Sequence, residues 1–193
     1  KYALAGMPAM FAGEDEAETL KIVLRDEPSG VCVNLLYGVL WDCDIITRTV
    51  EVGNNGTSDV TLRRVMSAEL DFYRRPMDMI HFYGRHSMER LTERQPLLHG
   101  IQSVESKRGI SSHHHNPAVI FCDKSATEDY GECFGMVFVY SGNFLCQAEL
   151  DQVEQTRVVM GIHPYQFAWK LKPGEVFAAP EAAMSYSGTG LET

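Results

Sequence analysis

The densest run of metal-ligating side chains is His113-His114-His115, set behind Ser111-Ser112 and closed by Asn116-Pro117. Neutral histidine is a common zinc ligand, but zinc takes about four ligands converging tetrahedrally. Consecutive residues of an extended loop point in different directions. No Cys stands at metal-ligand spacing, and no His-Glu-x-x-His pattern occurs. The run therefore reads as a polar loop whose Ser, His and Asn side chains hydrogen-bond backbone groups, with no metal site. Ser111 and Ser112 beside His113 do not make a nucleophile and its base, because such pairs are assembled from distant positions. The Gly-x-Ser-x-Gly elbow is missing as well.

Carboxylates such as Asp71, Asp78, Glu93, Glu105 and Asp151 are plentiful. Glycoside hydrolysis needs two of them facing each other, about 5–5.5 Å apart for retention. Linear spacing does not show which pair converges, so each reads as a solvated charge or an arginine partner. Trp41, Tyr73, Tyr83, Tyr165 and Trp169 have the chemistry to stack on sugar faces, yet aromatics in strand patterns read first as core.

The elements that must position these groups repeat with a period of two. Leu20, Ile22 and Leu24 alternate with polar residues, predicting a half-buried strand. Val31 to Trp41 is apolar on both faces and predicts a strand covered on both sides. Ile45–Val52 and Val60–Met66 flank Asn54-Asn55-Gly56-Thr57 and predict a hairpin. Further strands are expected at Val119–Cys122, Cys133–Tyr140, Phe144–Leu150, Arg157–Met160, Phe167–Leu171 and Ala183–Tyr186. Only Leu150–Gln155 suggests a helical turn, and Asp71–Leu98, rich in arginine, aromatics and Met, has no decisive period. Many short strands with frequent turns predict an all-β fold: an antiparallel sandwich of two face-packed sheets with little helix, one domain over residues 1–193.

Composition narrows the functions. The chain has 193 residues, with 17 Lys+Arg against 26 Asp+Glu and a net charge of −9. That balance argues against nucleic-acid binding and against attraction to anionic membranes. No apolar run approaches the roughly 20 residues of a membrane-spanning helix. Cys32, Cys43, Cys122, Cys133 and Cys146 are odd in number and form no tight motif, so they read as free thiols in a reducing, cytoplasmic setting. The first residue, Lys1, and the unpunctuated end give the look of a piece of a longer chain.

A known pattern accumulates in order along the sequence. Its pieces include Gly6-Met-Pro-Ala9, Ile46-Thr47-Arg48, Asn54-Asn-Gly56, Ser67-Ala-Glu-Leu-Asp71 and Phe82-Tyr-Gly-Arg85. It continues through Arg108-Gly-Ile-Ser-Ser-His113 with Asn116-Pro117, then Gly131-Glu-Cys-Phe-Gly135, Tyr140-Ser-Gly-Asn-Phe144 and Pro180-Glu181. The series resembles the N-terminal β-sandwich of the α-galactosidases of glycoside hydrolase family 36. The resemblance implies a parent enzyme that removes terminal α-galactose from melibiose-, raffinose- and stachyose-type sugars with retention, using no metal or organic cofactor. It further implies a following (β/α)₈ barrel that carries both catalytic aspartates.

This chain has no alternating β/α pattern to host them, so it is expected to contain no catalytic residue and to be inactive alone. Its implied partners are that barrel, the galactoside of the whole enzyme and further copies in a homo-oligomer. Arg108, Ser111, Ser112, His113 and Asn116 are the candidates for a loop at the domain junction or active-site rim. Internal bracing of a long loop explains them equally well. A stand-alone carbohydrate-binding sandwich is the alternative function.

Overall fold

The computed structural model describes every residue except Ala5, Glu14 and Thr193. The first strands are β1 (Glu18–Asp26), β2 (Val31–Leu40), β3 (Ile45–Asn54), β4 (Val60–Leu62) and β5 (Met66–Tyr73). Next come β6 (Met77–Arg85), β7 (Met88–Pro96), β8 (Gly100–Glu105), β9 (His115–Asp123) and β10 (Cys133–Phe138). The last are β11 (Phe144–Leu150), β12 (Gln155–Ile162), β13 (Trp169–Leu171), β14 (Val176–Ala178) and β15 (Ala182–Ser187). Trp41–Cys43 is the one helical turn among the described residues.

A large sheet runs β1-β2-β3-β15-β10-β9-β6-β7, with β14 also paired to β3. A smaller sheet, β11-β12-β5, lies opposite, with β8 beside β11, and β13-β4 forms a two-stranded ribbon. Every named strand pairing is antiparallel. The all-β sandwich expected from the period-two runs is what forms.

The main core lies between the two larger layers. Met79, Phe121, Met136 and Phe138 from the large sheet meet Phe144, Cys146, Val158 and Met160 from the small one. On β11 the inward residues are Phe144, Cys146 and Ala148, spaced by two as a pleated strand demands. A second core packs Val50 and Val52 against Leu171 and Phe177, with Leu62 alongside, so the β13-β4 ribbon and β14 roof the first strands.

Several expectations need correction. β1 is exposed along its whole length, with Leu24 51% exposed, because it is an edge strand paired only to β2 and no layer covers it. Alternation marks the faces of a strand but does not supply the layer that buries one. The Ile45–Val52 and Val60–Met66 runs do not form a hairpin: β4 pairs with β13 instead. The Asn54–Gly56 segment docks on the β1–β2 turn, where a Cβ on Gly30 would meet Gly56 Cα at 2.5 Å. The Asn55 amide donates to the Gly30 carbonyl there (2.8 Å). Leu150–Gln155 is a turn rather than helix, held by Asp151 Oδ1 accepting from the Val153 and Gln155 amides (2.9 Å each). The ambiguous middle resolves into the rest of β5 and the β6–β7 hairpin.

One buried ion pair fastens the N-terminal segment. Glu181, fully buried, accepts from Lys1 Nζ (2.8 Å), Tyr2 Oη (2.6 Å) and the Met10 amide (2.7 Å). Three donors compensate a carboxylate whose burial unpaired would be very costly.

Candidate functional site

The segment between β8 and β9 contains four of the five candidates, with Asn116 at the start of β9, and a second turn holds it in place. Ser106 Oγ donates to the Ile110 carbonyl (2.7 Å), closing the loop on itself. The Gly109 amide donates to Asn143 Oδ1 (2.6 Å), and the Ser111 amide donates to the Ser141 carbonyl (2.9 Å). Ser111 Oγ donates to the Tyr140 carbonyl (3.2 Å). Gly109 has φ +85°, a backbone region that residues with a Cβ adopt at a cost. The Arg-Gly-x-Ser-Ser-His loop and the Tyr-Ser-Gly-Asn-Phe turn therefore interlock.

The candidates divide by direction. Ser111 faces inward and braces. Ser112 is half-buried, and its Oγ accepts from the His114 amide (3.4 Å). Arg108 and His113 are exposed, and the His113 charge helps hold Glu89, at the β6–β7 hairpin, below its ordinary value, after the backbone hydrogen bonds that dominate there. Asn116 is half-buried, and its Oδ1 is sealed from solvent without a hydrogen-bond partner. The loop is thus a braced base carrying an outward tip.

Beside it lies a shallow groove of about 270 Å³, lined in part by Glu105, Lys107, Arg108, His114 and His115. Burial pushes the Glu105 carboxyl up, but Lys107 Nζ (2.6 Å) and His163 Nε2 (2.9 Å) outweigh it and hold the group below its ordinary value. His163 Nδ1 in turn accepts from the Tyr165 amide (2.9 Å), which fixes the ring. Burial, then the His114, His81 and Arg108 charges, hold His115 below the usual histidine range, against the opposing pull of Glu105. Among the described residues no group of three or more His, Cys, Asp or Glu is placed to hold a metal ion.

Sequence reasoning missed the Glu105–His163 pair, because its members lie on distant segments and neither belongs to a motif. The arginines of the Asp71–Leu98 stretch turn partly inward: Arg94 donates to Asp78 Oδ2 (2.7 Å) and to three carbonyls of residues 123–126, and Arg75 pairs with Asp123 and Glu132. One other expectation changes. The aromatics read as core do not all hide: Trp41, Tyr73, Tyr165 and Trp169 are exposed, while Tyr83 is half-buried.

With this geometry in place, the chain can be compared with known proteins. Residues 1–172 match the glycosyl hydrolase family 36 N-terminal domain. The chain belongs to that family. Over 191 residues the family 36 domain is 51% identical to the bifunctional alpha-galactosidase/sucrose kinase AgaSK of Mediterraneibacter gnavus, covering 99% of this chain but 20% of that protein. It is 46% identical to alpha-galactosidase AgaA of Geobacillus stearothermophilus, covering 99% of this chain and 26% of that one. Superposition on the solved AgaSK galactosidase domain covers 98% of this chain and 26% of that one, with a TM-score of 0.95. On AgaA the TM-score is 0.96, covering 98% and 27%. The domain spans about a fifth to a quarter of the length of these relatives.

Proposed function

We propose that this domain is the non-catalytic N-terminal part of a retaining α-galactosidase that hydrolyses terminal α-galactosides of the melibiose, raffinose and stachyose type. The observation that carries the reading is coverage: the chain aligns end to end with alpha-galactosidases yet accounts for only a fifth to a quarter of each. Variants of the Geobacillus enzyme have been solved with raffinose and with stachyose. In this reading the domain docks on its own barrel, takes part in homo-oligomer contacts and supports the active-site rim. Arg108, Ser111, Ser112, His113 and Asn116 serve the junction, Ser111 by bracing and Arg108 and His113 by reaching outward. The five free thiols support a cytoplasmic setting. Among the described residues no helix is long and apolar enough to cross a membrane.

The test compares the isolated chain with the longer protein that carries it, using a chromogenic α-galactoside. The chain alone gives no turnover above blank, while Arg108→Ala with His113→Ala lowers kcat/KM of the longer protein at least threefold. Turnover by the isolated chain, abolished by replacing one of its own aspartates, overturns the reading.

One observation favours the carbohydrate-binding alternative. An open groove of about 690 Å³ is flanked by Trp41, Tyr186 and Asp44, an arrangement of aromatic faces and a carboxylate that suits a sugar ring. Quenching of Trp41 fluorescence by millimolar galactose or melibiose, lost in Trp41→Leu, would support that alternative; an unchanged spectrum removes it.

A further inference from the structure

Cys122 on β9 and Cys133 on β10 stand directly opposite each other. One step along, the Asp123 amide donates to the Glu132 carbonyl (3.0 Å). Hydrogen-bonded and non-hydrogen-bonded pairs alternate along an antiparallel ladder, so Cys122 and Cys133 form a non-hydrogen-bonded pair. In such pairs the Cα atoms approach to about 4.5 Å and the side chains come closest. A disulfide spans Cα separations of about 4.4–6.8 Å. Register alone therefore places the two Cα atoms within the span a disulfide bridges. Both thiols are free, and both are buried with Ile80 and Ala126 in a small core of their own.

We propose that Cys122 and Cys133 are a redox pair that closes to a cross-strand disulfide when the protein meets hydrogen peroxide. Cys133 is the slightly more accessible of the two, 5% exposed against 0% for Cys122, and reacts first. Its thiolate attacks one peroxide oxygen: the S–O bond forms, the O–O bond breaks, and the departing hydroxide takes a proton and leaves as water. The Cys122 sulfur then attacks the resulting sulfenic acid and gives up its proton. The S–S bond forms, the S–O bond breaks and a second water leaves. Two thiols lose two protons and two electrons, and one peroxide becomes two waters.

The cover over the pair sets the rate. Ala126 sits on the thiols, and Arg94 holds the covering segment through the carbonyls of Ala126 (2.7 Å), Asp123 (2.9 Å) and Lys124 (3.0 Å). Burial raises both thiols, Cys122 to about 11. Asp123 pushes both further up, Asp78 adds to Cys122, and the Arg94 charge pulls both down. Few thiolates therefore exist at neutral pH while the cover is shut, and Arg94→Ala acts by opening that cover. Cys43 is exposed and Cys32 half-buried, and neither is part of the pair.

The experiment uses the full chain with Cys32→Ser and Cys43→Ser, so that the pair and the sealed Cys146 are the remaining thiols. Peroxide treatment is followed by intact mass and non-reducing peptide mapping. The expected result is a loss of about 2 Da, two hydrogens, in a Cys122–Cys133 peptide that a dithiol reductant restores. Closure accelerates at least tenfold in Arg94→Ala, and also in the unaltered background on moving from pH 7 to pH 9. Separate sulfinic acids at the two positions, a link to Cys146, or thiols still fully alkylatable after peroxide and unfolding would overturn the proposal.

Discussion

The Gly109 amide donates to Oδ1 of Asn143 at 2.6 Å, and that bond turns two remote segments into one feature. The loop before β9 is a nine-residue excursion, closed on itself by the Ser106 hydroxyl and tied to the facing turn through Gly109 and Ser111. With Asn143 and Ser141 as anchors, its base is as fixed as the turn between β10 and β11, and only its tip faces outward.

Removing the anchor tests this. Asn143→Ala leaves the Gly109 amide without its acceptor and should cost about 1–2 kcal/mol, a fall in Tm of roughly 2–8 °C for a chain of this size. Hydrogen exchange at Gly109 and Ser111 should speed up far more than exchange in β11. Equal protection in both proteins would show that the loop holds without Asn143.

The Glu105 triad sets a pH dependence. Its folded pKa is depressed, so its stabilisation is present above the ordinary value of about 4.5 and is lost as pH falls through the lower folded value. The Tm difference between the native chain and Glu105→Gln should shrink steadily as pH falls below 4.5. A difference that persists at pH 3 would assign the stabilisation to packing.

Breaking the Glu181 pair should be severe. Glu181→Ala leaves the Lys1 ammonium, its side chain 3% exposed, without its carboxylate, and losses of about 3–5 kcal/mol are usual for a half-removed buried pair. Glu181→Gln keeps acceptor geometry and should fall between the two in a urea titration. If Glu181→Ala melts like the native chain, the N-terminal segment is not fastened there.

The bare edge of β1 predicts self-association. An exposed strand carrying Leu20, Ile22 and Leu24 offers unpaired backbone groups to another chain. Ile22→Lys should lower light scattering on concentration while leaving Tm within about 1 °C, because surface changes away from special features cost little.

How far the sequence foretold this architecture depended on the environment of each segment. β11 was legible to the residue because Phe144, Cys146 and Ala148 face a packed core while Gln147 and Glu149 do not. β7 was not, since Met88–Pro96 is almost wholly exposed and charged side chains occupy both faces, leaving no alternation to read. The hairpin expectation failed at Asn55-Gly56 because neither residue adopts a positive φ: the left-handed glycine of that corner is Gly30 (φ +72°), and the following strand found a distant partner in β13. Motif order foretold both halves of the candidate site, but not that Gly109 and Asn143 meet, because a contact between remote segments leaves no trace in either one. The Glu105–His163 pair was silent for the same reason.

The place of β15 has a consequence for how the chain is made. It is the last strand in the sequence, yet it sits in the middle of the large sheet, between β3 and β10. Until the ribosome has released it, the sheet exists as two separate halves, β1-β2-β3 and β10-β9-β6-β7, each with a raw inner border at β3 and at β10. Those borders are unpaired strand edges of the kind that recruit other chains, and they stay open until β15 emerges. A product cut off before Ala182 would therefore aggregate rather than accumulate as a slightly shortened domain.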